Sequence, residues 1–322
     1  MESTSTLLII GGGLAGAKAA EGAREAGFEG RIVLAGEEAR NPYERPPLSK
    51  DILRAEKESD SSQVHESGYY AEQSIELLTG DAITSLDAGA KSAKLASGAT
   101  IAFDAAVLAT GAAPRPLKVP GADLAGVHYL RTVEDSVALH DAITKASRVA
   151  VIGAGWIGSE VAASARQMGA EVVLIEELAV PLHRVLGSQV GGMFSQLHSD
   201  HGVAMRLGVG VEKLEGGSAV ERVVLADGRV EAADVVVAGI GVTPRIELAE
   251  AAGLTIDNGV VVDENLQSSA PGIFAAGDIA NAFHPHFQRH LRIEHWANAL
   301  NQGAAAGTNA SGKAAPYTRL PY

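Results

Sequence analysis

The chain has 322 residues, a net charge of −13, 37 glycines, few aromatic residues (4%) and no cysteine. Its length allows two domains, and its glycine-rich, aromatic-poor composition favours an α/β architecture over a β-sandwich. The acidity excludes nucleic acid as the main partner, and the absence of cysteine excludes disulfides, thiolate metal sites and dithiol redox chemistry.

The first element is an apolar, β-capable run from Thr6 to Ile10 that leads directly into Gly11-Gly12-Gly13-Leu14-Ala15-Gly16. An alanine-rich helix is predicted to about Ala26, with Gly27 as its stop, followed by the strand "RIVLA" and the acidic Glu37. Strand, G-x-G-x-x-G, helix, strand and acid is the order of a dinucleotide-binding unit. The glycines let the backbone approach a pyrophosphate, and the helix N-terminus supplies oriented N–H groups. Next comes "PYERPPLSK", Pro42 to Lys50, where Pro46-Pro47 predicts a stiff extended segment that delivers Lys50 to a fixed place.

The pattern then recurs. "RVAVIGAGWIGSEVAASARQMGAEVVLIEE" repeats the order with Gly153, Gly155 and Gly158 in the loop and Glu176 ending the next strand. A second internal match lays Leu95–Arg115 over Leu225–Arg245, pairing Gly98 with Gly228, Asp104 with Asp234, Gly111 with Gly241 and Pro114 with Pro244. Two dinucleotide-binding domains in a chain without thiols suggest a flavin and a nicotinamide exchanging a hydride.

The segments "GGGLAG", "PYERPPLSK", "LATGAAPRPL", "YLRTVEDS", "VIGAGWIGSEVA", "GIGVTPR", "IFAAGDIAN" and "RIEHWANALNQG" together resemble the FAD-dependent, NADH-using ferredoxin, rubredoxin and putidaredoxin reductases that feed bacterial oxygenases. The resemblance runs along essentially the whole chain. It implies a flavoprotein fold of two Rossmann-like domains: a discontinuous FAD domain, about residues 1–114 and 247–322, with an NAD domain, about 115–246, inserted into it. Members of the group continue with an aromatic-rich segment and a C-terminal domain beyond the point where this chain ends in "APYTRLPY". That domain is expected to be missing, and with it part of what shapes the acceptor surface.

For FAD, the resemblance implies contacts from Gly11, Gly13, Ala15 and Gly16, and from Glu37 on the adenosine ribose. It adds Arg45 and Lys50, Ile83 near the adenine, Ala109-Thr110-Gly111, and Arg131. Asp278 would meet the ribityl chain and Trp296 the pyrimidine side of the flavin, with Gly277, Glu294 and His295 also among the FAD-binding residues. For NAD it implies Gly153, Gly155, Ile157, Gly158, Glu160, Glu176, Arg184 and Gly241. Read from the residues themselves, Ile83 also fits an ordinary strand position and Arg131 a solvated cation at a helix start.

Lys50 and Glu160 are expected to act in the hydride step, the lysine stabilising negative charge on the reduced flavin and the glutamate holding it. Glu160 is predicted on the first turn of the NAD-domain helix, with Lys50 coming from the other domain. Glu176 predicts a preference for NADH, since a carboxylate accepts from a ribose 2′-OH and repels a 2′-phosphate. In "FHPHFQRHLRIEHW", His284, His286, His290 and His295 match no common zinc spacing, so no metal site is predicted. Arg289 and Arg292 read either as local positive charge facing an acidic electron carrier or as solvated cations.

The expected function is a flavoenzyme that takes hydride from NADH onto FAD and passes single electrons to a [2Fe-2S] ferredoxin serving an oxygenase. The alternatives are reduction of rubredoxin or another small acceptor, and a non-catalytic flavin- and NADH-binding module. No apolar run reaches the roughly 18 residues of a membrane span and no signal peptide is evident, so a cytoplasmic location is expected. Monomer and homodimer are both open.

Overall fold

A computed structural model describes residues 5–320. They divide into two compact units, one of residues up to 44, 63–112 and from 244 onward, the other of 45–62 and 113–243.

The first unit is built on a parallel sheet of five strands in the order Ile273–Ala275, Ala105–Leu108, Thr6–Ile10, Arg31–Gly36, Ile75–Thr79. Its central strands are apolar at almost every position because helices and loops cover both faces: Leu7, Leu8, Ile9, Ile32 and Leu34 are fully buried. The helix after the glycine loop, Leu14–Glu25, packs against the Trp296–Ala310 helix at backbone contact. A Cβ added to Gly303 would come 2.4 Å from the Ala15 carbonyl oxygen, one on Gly307 1.9 Å from that of Ala19, and one on Gly22 2.3 Å from that of Ala304. Small residues are therefore a packing requirement here, which accounts for the alanine and glycine richness of both helices.

The second unit repeats this plan. Its parallel sheet runs Val203–Leu207, Glu171–Glu176, Arg148–Ile152, Val235–Ala238, Val127–His128. The registers match as well: Thr6 pairs with Arg31 and Leu7 with Ala105 in the first unit, Arg148 with Glu171 and Val149 with Val235 in the second. Each unit also carries a three-stranded antiparallel meander, Ile83–Asp87, Ser92–Leu95, Thr100–Ala102 in one and Val211–Gly216, Val220–Leu225, Val230–Ala232 in the other. The aspartates matched in sequence do the same work: Asp104 accepts the N–H of Thr6 (2.7 Å) and Asp234 that of Arg148 (2.9 Å), each carboxylate tying the start of one central strand to the start of its neighbour.

Residues 45–62, expected with the discontinuous domain, pack instead in the second unit. Leu48 and Leu53 are buried there, Leu53 within the apolar cluster of Leu139, Val151 and Val161. Full burial of one such leucine is worth roughly 1.5–3 kcal/mol. Backbone carbonyls of the segment are met by side chains: Ser136 Oγ donates to Leu48 O (2.7 Å), and His140 Nδ1 lies 2.8 Å from Leu53 O. Pro46–Ser49 is a turn of 3₁₀ helix and not an extended rod. The two prolines occupy its first positions, where a fixed φ suits helical backbone and no N–H is needed. No helix among the described residues is long and apolar enough to cross a membrane.

Candidate functional site: two nucleotide cradles and a lysine–glutamate pair

In the first glycine loop, Gly11 has φ +125°, and a Cβ there would lie 2.2 Å from the Ala109 carbonyl oxygen. At Gly16 a Cβ would fall 1.9 Å from the carbonyl oxygen of Gly11, so the loop can close onto the helix only with glycine at both places. Gly13 differs. It caps the helix without any side chain, and a Cβ there would meet nothing within 4 Å. Packing does not explain that glycine, whereas a bare N-terminus facing open space fits a pyrophosphate.

The second loop reproduces each feature. Gly153 has φ +95° and its Cβ would be 2.4 Å from Gly239 O; that of Gly158 would be 1.8 Å from Gly153 O; that of Gly155, the helix cap, would meet nothing. Both cradles therefore fit a dinucleotide. The acidic residues diverge. Glu37, exposed and just past its strand, forms an ion pair with Arg245. Glu176, the last strand residue, accepts the N–H groups of Ala154 (2.7 Å) and Leu178 (2.9 Å) on its two oxygens, which sets its carboxylate against the glycine loop.

Around the first cradle, Thr110 Oγ1 donates to Arg245 O (2.9 Å), and Gly111 has φ +68°. Gly277, at φ +78°, donates its N–H to Gln302 Oε1 (3.1 Å), and a Cβ on it would meet that of Ala15 at 3.0 Å. The turn holding Asp278 is thus seated beside the first glycine loop. Arg292 donates to the Asp278 carbonyl (3.1 Å) and pairs with Glu294 (2.6 Å). Arg292 is thus held in place locally, while Arg289 is exposed. Trp296 opens its helix 40% exposed, with His295 as the N-cap. Ile83 sits half-buried on a meander strand against the core, as an ordinary strand residue would.

Arg45, Lys50 and Arg131, expected at the flavin, lie in the second unit, where the Arg45 guanidinium donates to the Arg131 carbonyl. Lys50 Nζ forms an ion pair with Glu160 Oε2 at 2.7 Å, so the expected pair is present. It differs from expectation in two respects: both partners belong to one unit, and Glu160 is the fifth residue of the Trp156–Gln167 helix, one turn in. Sequence reasoning missed Ser49, which is 1% exposed and donates to the same Glu160 oxygen at 2.5 Å. The serine adjoins the lysine in sequence, but nothing in the pattern marks where its hydroxyl turns. Beside this pair Ile157 stands 42% exposed at the helix start; Gly241 (φ +100°) and Arg184 are also exposed.

Of the histidines, His284 is buried with Nε2 3.0 Å from Arg319 O, within a hairpin of Ala280–His284 and Arg289–Arg292. No group of three or more potential ligands that could hold a metal occurs among the described residues. Two cavities, of about 310 and 410 Å³, line up with neither cradle. At the cradles themselves Gly13 is half-buried and Gly155 exposed.

Comparison with known proteins decides the family. The model of the pyridine nucleotide-disulphide oxidoreductases matches residues 5–303. The chain belongs to this family. It is 40% identical over 318 residues to rhodocoxin reductase of Rhodococcus erythropolis, covering 98% of this chain and 74% of that protein. It is 41% identical over 314 residues to the ferredoxin–NAD(+) reductase subunit of the benzene 1,2-dioxygenase system of Pseudomonas putida, covering 97% and 76%. The crystal structure of the covalent putidaredoxin reductase–putidaredoxin complex matches with a TM-score of 0.94 at 37% identity, covering 99% of this chain and 78% of that one. Although disulphide chemistry gives the family its name, this chain has no cysteine to perform it.

Proposed function

We propose that this protein is an NADH-dependent ferredoxin reductase that takes hydride from NADH onto FAD and passes electrons one at a time to a [2Fe-2S] ferredoxin serving an oxygenase. The observation that carries the reading is the pair of open glycine cradles in a chain that has no thiol to relay electrons. Bound FAD supplies the conversion of a two-electron hydride into single-electron transfers. In this reading the first unit's loop, Glu37, Ala109-Thr110-Gly111, Gly277-Asp278 and the Glu294–Trp296 turn hold the FAD, with Arg45, Lys50, Ile83 and Arg131 completing its contacts. The inserted domain holds NADH through Gly153, Gly155, Ile157, Gly158, Glu176, Arg184 and Gly241.

Lys50 places a cation for charge developing on the reduced flavin, and Glu160 fixes that cation. Glu176 favours NADH over NADPH: its carboxylate is already anchored at the loop by two backbone N–H groups, leaving lone pairs for a ribose hydroxyl and repelling a phosphate. Ferredoxin is the natural partner because the benzene 1,2-dioxygenase relative is named as a ferredoxin–NAD(+) reductase subunit. A cytoplasmic location follows from the supply of NADH.

The test is to purify the FAD-loaded chain, add NADH without oxygen, and follow the flavin absorbance. Bleaching followed by ferredoxin reduction is expected. A yellow protein that NADH does not bleach would leave only the binding-module reading, and bleaching with transfer to rubredoxin alone would move the acceptor.

A further inference from the structure

The helix that carries Glu160 grips residue 49 twice. Glu160 and Ser164, four residues apart on one face, both engage it: Ser164 Oγ donates to the Ser49 carbonyl (2.7 Å), and the Ser49 hydroxyl donates to Glu160 Oε2 (2.5 Å). Arg54 Nη1 in turn donates to Ser164 Oγ (3.1 Å). The Pro46 carbonyl lies 3.3 Å from Ser49 Oγ, but a hydroxyl has one proton, and the nearer, charged acceptor takes it.

The Glu160 carboxylate is therefore held from two sides with unequal firmness. Lys50 is 40% exposed on a flexible stem and also reaches the Pro46 carbonyl (3.0 Å); such a pair alone contributes little and can swing. Ser49 is buried, its backbone fixed by Ser164, so its hydroxyl has one place to point.

We propose that Ser49 is a positioning residue for the Lys50–Glu160 pair: its buried hydroxyl pins the Glu160 carboxylate, and the pinned carboxylate presents the lysine ammonium in one orientation. The proposal rests on the reading of Lys50 and Glu160 as the pair that assists hydride transfer. It adds that Ser49, Lys50 and Glu160 all belong to the second unit. Serine suits position 49 because it combines a donor with a volume that fits a nearly closed site. Alanine would leave the carboxylate held by the lysine alone.

The experiment compares wild type, Ser49→Ala, Glu160→Ala, the Ser49→Ala/Glu160→Ala double variant and Lys50→Met, all as the FAD-loaded full chain. Stopped-flow reduction by NADH without oxygen gives the limiting rate and the NADH dissociation constant, and thermal unfolding checks the fold. Ser49→Ala should lower the limiting rate about tenfold, the size expected for one hydrogen bond to a charged group, with NADH binding unchanged. In the Glu160→Ala background it should add nothing, since a purely structural role would persist there. A second readout needs no flavin: in the FAD-free chain, reductive methylation of Lys50 read by peptide mass should be faster in Ser49→Ala than in wild type. Should Ser49→Ala not fold, the near-isosteric Ser49→Cys takes its place in the same cycle. A wild-type rate for Lys50→Met would overturn the role of the pair itself. A slow Lys50→Met beside a Ser49→Ala that is unimpaired, or that is additive with Glu160→Ala, would overturn the role of Ser49 alone.

Discussion

The two glycine loops are alike where the backbone must approach a pyrophosphate and unlike in what covers the helix behind. In the first unit the Leu14–Glu25 helix is roofed by a second helix at backbone contact, through Gly22, Gly303 and Gly307. In the second the Trp156–Gln167 helix is met by the 3₁₀ turn of Pro46–Ser49, which carries a serine and is followed by a lysine. A duplicated frame thus holds two ligands. One copy is sealed with small apolar residues, and the other is fitted with polar side chains that can act on a reaction. The divergence lies in the outer layer.

Adding one methyl group should damage both cradles with separate consequences. In Gly16→Ala and Gly158→Ala the new Cβ would sit 1.9 Å or less from a carbonyl oxygen, a clash costing about 3 kcal/mol or more where the loop must open. Gly16→Ala is expected to purify without flavin, and Gly158→Ala to stay yellow while NADH no longer bleaches it; absorbance spectra decide both. If Gly158→Ala were reduced at the wild-type rate, the second loop would not be the nicotinamide cradle.

Next in size, Lys50→Met removes the cation from the polar layer of the second unit. It should slow flavin reduction by about a hundredfold with unchanged flavin content, measured by stopped flow. A smaller effect is expected at the acidic residue. Wild type should prefer NADH, and Glu176→Gln should reduce that preference in kcat/KM by about tenfold. Because both Glu176 oxygens also accept backbone N–H groups, the variant should lose roughly 1 kcal/mol of stability in urea unfolding. Equal use of NADPH by wild type would contradict the assignment.

The smallest effect tests the matched aspartates. Hydrogen bonding to Arg148 holds the Asp234 carboxyl below the usual carboxylate range. A depressed folded value means stabilisation present above the unfolded value, near pH 4, and lost as the pH falls through the folded one. Asp234→Asn should therefore be less stable than wild type at pH 7, with the difference closing in acid. Trp156, in the same unit, reports the unfolding by fluorescence. A difference that stays constant with pH would remove the charge from the explanation.

Both cradles were legible in the sequence because their requirements are local. A loop that closes on its own helix needs glycine at Gly11 and Gly16, and at Gly153 and Gly158, and a strand–loop–helix frame shows in a short window. The match of Asp104 with Asp234 was legible for a similar reason, since each has the same backbone to tie. The docking of residues 45–62 was not. It depends on Ser136, Ser164 and His140 meeting backbone carbonyls far along the chain, and serines and histidines carry no signal of their acceptors. The Pro46-Pro47 pair read as extended because proline excludes helix interiors, yet at the first positions of a turn the same fixed φ favours helix. The pairing of Glu37 with Arg245 likewise links distant residues whose contact only the folded chain reveals.

The central claim is that electrons enter as hydride from NADH and leave singly to an iron–sulfur carrier without a thiol between. The most direct measurement mixes the NADH-reduced protein with oxidised [2Fe-2S] ferredoxin under anaerobic conditions and follows both chromophores. The account predicts that the flavin regains its colour as the ferredoxin loses its own, two ferredoxins per flavin. A flavin that stays bleached beside oxidised ferredoxin and recovers only when oxygen is admitted would contradict it.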